Sequence, residues 1–278
     1  MKKACVIGWP IEHSRSPLIH GYWLKTYGIA GSYTKQAVKP EDLGSFLGSL
    51  ASAGFAGCNV TVPHKEAAFT AAQRQDASAE AVGAANTLWL EDGVLCAANT
   101  DTYGFMTHLT AAAPQWNTGA GPVCILGAGG AARAIVQGFL QAGVREVRVF
   151  NRTRDRADAL AAQFGSRVVV GDWEKRSIAS RDADVLVNTT ALGLKGSGDA
   201  GIDFAGFNPG CVVSDIVYVP LETALLREAR LAGLATVDGL GMLLHQAVPG
   251  FERWFGVRPE VTSKLRDVIV ADILSSKA

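Results

Sequence analysis

"VCILGAGGAARA" (residues 123–134) decides how the second half of this chain folds. Val123–Leu126 reads as a fully apolar strand, and Gly127, Gly129 and Ala132 follow in G-x-G-x-x-A spacing. A helical pattern runs on over Ala131–Ala142. Gly127 permits a tight turn, Gly129 lets the backbone approach a pyrophosphate, and Ala132 keeps the helix close to the strand. The helix N-terminus adds unpaired N–H groups and partial positive charge for that anion. A glycine-rich turn without a ligand is the plainer alternative; the strand–loop–helix context favours a dinucleotide.

Outward from this loop the pattern repeats. "EVRVF" (146–150) leads into a helix over Asp155–Phe164, and "VVV" (168–170), "DVLVN" (184–188) and "CVVSDIV" (211–217) supply further apolar runs. Such runs alternating with helices predict a parallel sheet covered on both faces, a Rossmann-type arrangement. Gly119–Pro122 reads as a link to an earlier α/β region. There, Ser16-Pro17 reads as an N-cap and first helical residue, with Gly28 closing that helix. Leu43, Phe46, Leu47 and Leu50 form one apolar stripe after Pro40, and "FAGCNVTVP" (55–63) is a strand ended by proline. Asp92-Gly93 sits between two strand patterns as a hairpin turn. Two helical patterns close the chain. The fold class is therefore α/β in two domains.

Composition narrows the function. In 278 residues, 26 basic and 26 acidic side chains cancel and no basic block stands ready to grip a polyanion, so nucleic acid is not an expected partner. The N-terminal apolar run is cut by Gly8, Pro10 and Glu12, too short for a secretory leader, and no stretch is long enough to span a membrane. Five cysteines without a C-x-x-C pair point to reduced, buried thiols and a cytoplasmic protein. The histidines lack metal-ligand spacing and Ser14 lacks a nucleophile elbow, so no metal is expected.

The strand after the glycine loop selects the dinucleotide. An NAD site usually carries a carboxylate there, whereas this chain has Asn151, Arg152, Thr153 and Arg156. Guanidinium groups bind a 2′-phosphate through paired charge-assisted bonds, so NADP is expected over NAD. A solvated charged turn is the alternative. Polar clusters also gather at strand ends in the first half: Asn59, Thr61 and Lys65, then Asn86, then Asn99, Thr100 and Asp101. Asn59 and Thr61, two apart, are expected on one strand face. Singly, Lys65 fits a first-turn helix residue, Asp101 an N-cap and Asn86 a turn former. Together with a dinucleotide loop they suggest carbonyl reduction. A lysine ammonium beside an aspartate can orient on the carbonyl oxygen, stabilise its developing charge and donate the proton.

Nine segments in order resemble the shikimate/quinate dehydrogenase family: "GWPIEHSRSPLIH", "NVTVPHK", "VGAANT", "NTDTYG", "LGAGGAARA", "NRT", "NTTALG", "DIVYVPLET" and "DGLGMLLHQA". The resemblance implies a substrate domain over 1–101, completed by C-terminal helices 240–278, with a Rossmann NADP domain over 102–239 between them. It implies that Ser14 and Ser16 bind a substrate carboxylate, that Thr61, Asn86, Tyr218 and Gln246 hold carboxylate or ring hydroxyls, and that Lys65 and Asp101 are the catalytic pair. Gly127, Ala128, Gly129, Gly130 and Ala131 match the pyrophosphate loop; Asn151, Arg152, Thr153 and Arg156 match the adenosine-phosphate site; Ile216 and Gly239 match positions near the nicotinamide. The implied reaction is reversible NADPH-dependent reduction of 3-dehydroshikimate to shikimate, in aromatic amino acid and chorismate biosynthesis, by a monomer or homodimer. Quinate or aminoshikimate dehydrogenation and metabolite binding without turnover are the alternatives. Serine at both 14 and 16 points away from quinate-preferring relatives, which often carry threonine at the second position. Gly21, "NTTALGL" and Ile216 depart from the usual family pattern.

Overall fold

The computed structural model describes residues 1–275, which divide into two compact units, Met1–Asp101 with the described residues from Leu244 onward, and Thr102–Leu243. The first contains β1 (Lys2–Gly8), α1 (Ser16–Thr26), β2 (Gly31–Ala37), α2 (Leu43–Ser49), β3 (Phe55–Val60), α3 (Lys65–Ala71), β4 (Arg74–Gln75), α4 (Ala77–Val82), β5 (Thr87–Glu91) and β6 (Val94–Ala98). Helix α5 (Asp101–Ala112) leads into the second unit: β7 (Val123–Leu126), α6 (Gly130–Gln141), β8 (Val147–Phe150), α7 (Arg154–Phe164), β9 (Val168–Gly171), β10 (Val185–Asn188), β11 (Val212–Asp215), α8 (Ala224–Leu231) and β12 (Ala235–Val237). Helix α9 (Gly239–Phe255) carries the chain back, and α10 (Ser263–Ser275) ends it. The return falls inside α9, so no loop marks it in the sequence.

In the first unit the sheet runs β2-β1-β3-β5-β6-β4. β1 is parallel to β2 and β3, and β5 is antiparallel to β3 and β6. Cys5, Ile7, Cys58, Val60 and Leu88 meet Leu43, Leu47 and Leu50 in one core, which accounts for the α2 stripe. The β5–β6 hairpin turns on Asp92 and Gly93 with φ of 51° and 78°, the two positive values a type I′ turn needs. The C-terminal segment is tied to this unit by side chains. Trp254 Nε1 donates to the Leu88 carbonyl (2.9 Å), Trp23 Nε1 to the Glu260 carbonyl (3.0 Å), and Arg15 pairs with Asp272 (2.8 Å).

The second unit has a fully parallel sheet ordered β12-β11-β10-β7-β8-β9. Its order reverses between β7 and β10, the doubly wound arrangement. Every residue of β7, β10 and β11 is buried, which explains the apolar runs Val123–Leu126, Val185–Val187 and Val212–Val213. All five cysteines are free and buried.

Candidate active site

In the first unit, Lys65 opens α3 and Asp101 opens α5, and Lys65 Nζ donates to Asp101 Oδ2 at 2.5 Å. The lysine side chain keeps 25% of its exposure and the aspartate 8%, so the ammonium is the member of the pair a solute can reach. Although Asp101 begins a helix, its carboxylate serves Lys65 and Asn86. Asn99 Oδ1 instead takes the Asp101 backbone N–H at 3.0 Å.

Asn86 is the hub of the site. Its Nδ2 donates to Asp101 Oδ1 (2.8 Å) and to Gln246 Oε1 (3.4 Å). Its Oδ1 accepts from the Thr100 N–H (2.8 Å) and from Thr87 Oγ1 (3.0 Å). Backbone bonds Val60 N–H to Asn86 O (2.8 Å) and Asn86 N–H to Ala98 O (3.0 Å) fix the residue between two strands. Donors on one side and acceptors on the other leave one amide orientation.

The network continues inward. Asn59 Nδ2 donates to Thr87 Oγ1 (3.1 Å), and Tyr33 Oη donates to Asn59 Oδ1 (2.6 Å). Burial pushes the Tyr33 phenol well above its ordinary range, and the nearby Ser16 side chain partly offsets this. One run of hydrogen bonds therefore joins Tyr33 to Lys65 through Asn59, Thr87, Asn86 and Asp101. Ser14 Oγ accepts the Ser16 N–H at 3.4 Å.

Two local expectations fail. Ser16 is not the cap of α1: the cap position is Arg15, and no side chain caps it. Ser16 is instead the first residue inside the helix, and it is buried. Thr61 does not continue the strand face of Asn59, because β3 stops at Val60. Thr61 is held by its N–H on the Ile7 carbonyl (2.9 Å), and a Cβ at Gly8 would lie 2.6 Å from the Thr61 methyl. The Thr61 backbone thus braces the start of the "GWPIEHS" loop.

In the second unit, the backbone at Gly127 has φ +109°, and a Cβ there would come within 2.5 Å of Thr189 Oγ1, so only glycine fits. The Gly127 N–H donates to the Phe150 carbonyl at 2.7 Å, which sets the loop beside Asn151. Gly129 caps α6, and nothing lies within 4 Å of a Cβ at Gly129 or Gly130. Ala132 is buried. The result is an open cradle at a helix N-terminus, suited to a pyrophosphate. Asn151 Nδ2 donates to the Thr153 carbonyl at 2.6 Å and shapes the next turn. Arg152 and Arg156 are exposed, and neither guanidinium bonds to another described residue. Arg154 instead pairs with Asp158 at 3.6 Å. Two uncommitted guanidiniums beside the cradle fit a 2′-phosphate better than a bare ribose.

Ile216, Tyr218 and Gly239 also lie in this unit. A Cβ at Gly239 would collide with the Ile216 carbonyl, so that glycine lets α9 begin against the loop after β11. The anchors of that loop escaped sequence reasoning. Asn188, Asp215 and Thr223 are wholly or almost wholly buried and mutually hydrogen-bonded. The only signal was their place in "NTTALG" and "DIVYVPLET" or beside it. Among the described residues no His, Cys, Asp and Glu cluster could hold a metal, and no helix is long and apolar enough to cross a membrane.

Models of the shikimate dehydrogenase substrate-binding domain, shikimate/quinate 5-dehydrogenase and the shikimate 5′-dehydrogenase C-terminal domain match residues 6–88, 112–193 and 239–263. A shikimate dehydrogenase (NADP(+)) of Brucella abortus (strain S19) is 57% identical over 280 residues, covering 100% of this chain and 96% of that one. Shikimate 5-dehydrogenase of Thermus thermophilus, solved with NADP(H) and shikimate, is 36% identical with a TM-score of 0.87, over 98% of this chain and 100% of that one. Quinate dehydrogenase of Corynebacterium glutamicum, solved with NAD, is 30% identical with a TM-score of 0.90, at the same coverage. Family models along the chain and a relative of this identity over its full length settle the lineage: the chain belongs to the shikimate dehydrogenase family.

Proposed function

We propose that this protein catalyses the reversible, NADPH-dependent reduction of 3-dehydroshikimate to shikimate, a step of aromatic amino acid and chorismate biosynthesis. The observation that carries the reading is the Lys65–Asp101 contact at 2.5 Å, with Asn86 locked against its far oxygen at 2.8 Å. Bound NADPH supplies the hydride. Lys65 Nζ stabilises charge on the ketone oxygen and gives it a proton; in the oxidation direction the same nitrogen takes the hydroxyl proton. Asp101 orients the ammonium and balances its charge. Ser14 and Ser16 hold the substrate carboxylate, and Thr61, Asn86, Tyr218 and Gln246 hold its carboxylate or ring hydroxyls, Asn86 and Gln246 being already in mutual contact at 3.4 Å. Gly127–Ala131 receive the pyrophosphate on the α6 N-terminus, and Asn151, Arg152, Thr153 and Arg156 take the 2′-phosphate. The same reading puts the enzyme in the cytoplasm, as a monomer or homodimer.

Quinate is the second reading, since a quinate dehydrogenase shares the fold with a TM-score of 0.90. The paired serines and the 57% identity to an NADP-named shikimate dehydrogenase favour shikimate. The test follows NADPH absorbance with 3-dehydroshikimate for the parent and Lys65→Ala. Removing a proton-transferring group should lower kcat about 10²–10⁴-fold with KM changed far less. An unaltered kcat rejects the role of Lys65. Turnover of quinate with none of shikimate rejects the substrate.

A further inference from the structure

Asp215, the last residue of β11, is completely buried. Its Oδ1 accepts from Asn188 Nδ2 (3.0 Å) and from the Val217 N–H (3.0 Å), and its Oδ2 accepts from Thr223 Oγ1 (2.7 Å). All three donors are neutral, and no described cation lies within ion-pair distance. The groups that face it from each packed element are uncharged: Asn188 from β10, Thr223 ahead of α8, the backbone of residues 216–217, and Gly193. Asn188 extends the same anchor, donating to the Leu192 carbonyl (3.1 Å) and accepting from Thr190 Oγ1 (2.7 Å). One carboxylate thus ties the loop after β10 to the loop after β11.

A buried anion without a counter-ion is costly, and neutral asparagine would satisfy the same shape. Loop anchoring alone does not explain the charge. Strand order does. The sheet reverses between β7 and β10, and the glycine loop and Arg152 belong to the β7–β8–β9 half. In a doubly wound dinucleotide fold each half takes one mononucleotide, so the half ending in β10 and β11 takes the nicotinamide. The nicotinamide ring is a cation in NADP+ and neutral in NADPH.

We propose that Asp215 is a positioning residue that fixes the two loops of the nicotinamide half and, through its buried charge, favours NADP+ over NADPH in the bound cofactor. The inference rests on the dinucleotide reading above. Burial raises the Asp215 carboxyl to about 6, against which the Val217, Thr223 and Asn188 bonds act only partly. The preference therefore has a pH window. It is present above that value and fades as Asp215 is protonated. The 2′-phosphate also titrates near pH 6, but it is common to both cofactor forms and cancels in their ratio.

The test is calorimetric titration of NADP+ and of NADPH into the parent, Asp215→Asn and Thr223→Val between pH 5 and 7.5. At pH 7.5, Asp215→Asn should weaken NADP+ by about fivefold or more relative to NADPH, as expected for loss of one screened charge. The parent ratio should drift toward that of Asp215→Asn as pH falls to 5, while Asp215→Asn stays flat. Thr223→Val keeps the charge and should keep the parent ratio. Equal ratios in parent and Asp215→Asn, or an equal loss for both cofactor forms, overturn the inference and leave the enzyme reading standing. Failure of the parent to bind either form overturns both.

Discussion

Acid should weaken the first unit through one side chain, His20. It is completely buried, stacked flat on Tyr33 at 3.9 Å and 4°, with Trp23, Phe251 and Trp254 at centroid distances of 5.6, 5.8 and 5.7 Å. Neither ring nitrogen has a well-formed hydrogen bond among the described residues; the nearby Asn59 side chain helps the charged form only slightly. Burial lowers the imidazole from 6.5 to about 3. The folded chain therefore refuses a proton that the unfolded chain accepts below pH 6.5, and stability is lost as pH falls through that window. At about 1.36 kcal/mol per pH unit, the move from pH 7.5 to 5 removes about 2 kcal/mol, and full acidification to pH 3 removes up to about 5 kcal/mol. That compares with a typical total of about 5–15 kcal/mol. Urea unfolding of the parent and His20→Phe, read by tryptophan emission at the two pH values, isolates the effect, because Trp23 and Trp254 touch the ring. Phenylalanine keeps the stack and cannot titrate, so its unfolding free energy should change about 2 kcal/mol less between pH 7.5 and 5 than that of the parent. Equal pH dependence in the two proteins refutes the argument, whatever their absolute stabilities.

Asp215 works in the opposite sense in the second unit: its folded value of about 6 against 3.8 unfolded means stability present at low pH is lost as pH rises through 6. Asp215→Asn should therefore raise the urea midpoint of that unit at pH 7.5 more than at pH 4.5, which paired denaturation curves would show. Arg152→Ala should weaken NADPH about tenfold and leave NADH unchanged, measured by cofactor fluorescence; equal losses would deny Arg152 a role with the 2′-phosphate. Gly57→Ala would drive a Cβ into the Leu88 carbonyl oxygen and Trp254 Nε1. With the backbone fixed on one side and a buried indole on the other, a loss of about 3 kcal/mol or more is expected in thermal unfolding. Asp76 caps α4 by accepting from the Ser78 and Ala79 N–H groups at 3.0 and 3.1 Å, so Asp76→Ala should cost about 1 kcal/mol.

What the chain discloses in one dimension follows from how locally each requirement is set. The glycine loop is legible because a strand, a turn at φ +109° and a helix start lie within a dozen residues, and only glycine meets the turn. The Asp92-Gly93 hairpin is legible for the same reason. Lys65 and Asp101 are legible as candidates, since each stands just beyond a strand pattern, but their 2.5 Å contact spans 36 residues and depends on where β3 and β6 end. Ser16 shows how a local rule can misplace an element's end by one residue: a serine before proline suits a cap, yet the helix already includes Ser16 and the cap position falls on Arg15. Asp215 is least legible of all. Its meaning depends on Asn188 being its register partner across β10 and β11, on Thr223 closing from the far side, and on no cation arriving. The first two are contacts that a pattern search could propose; the third is the lack of a contact, which no motif encodes. A carboxylate inside an apolar strand end, "VVSDIV", is nonetheless the anomaly to look for, because a buried charge without a counter-ion is costly where a neutral residue fits.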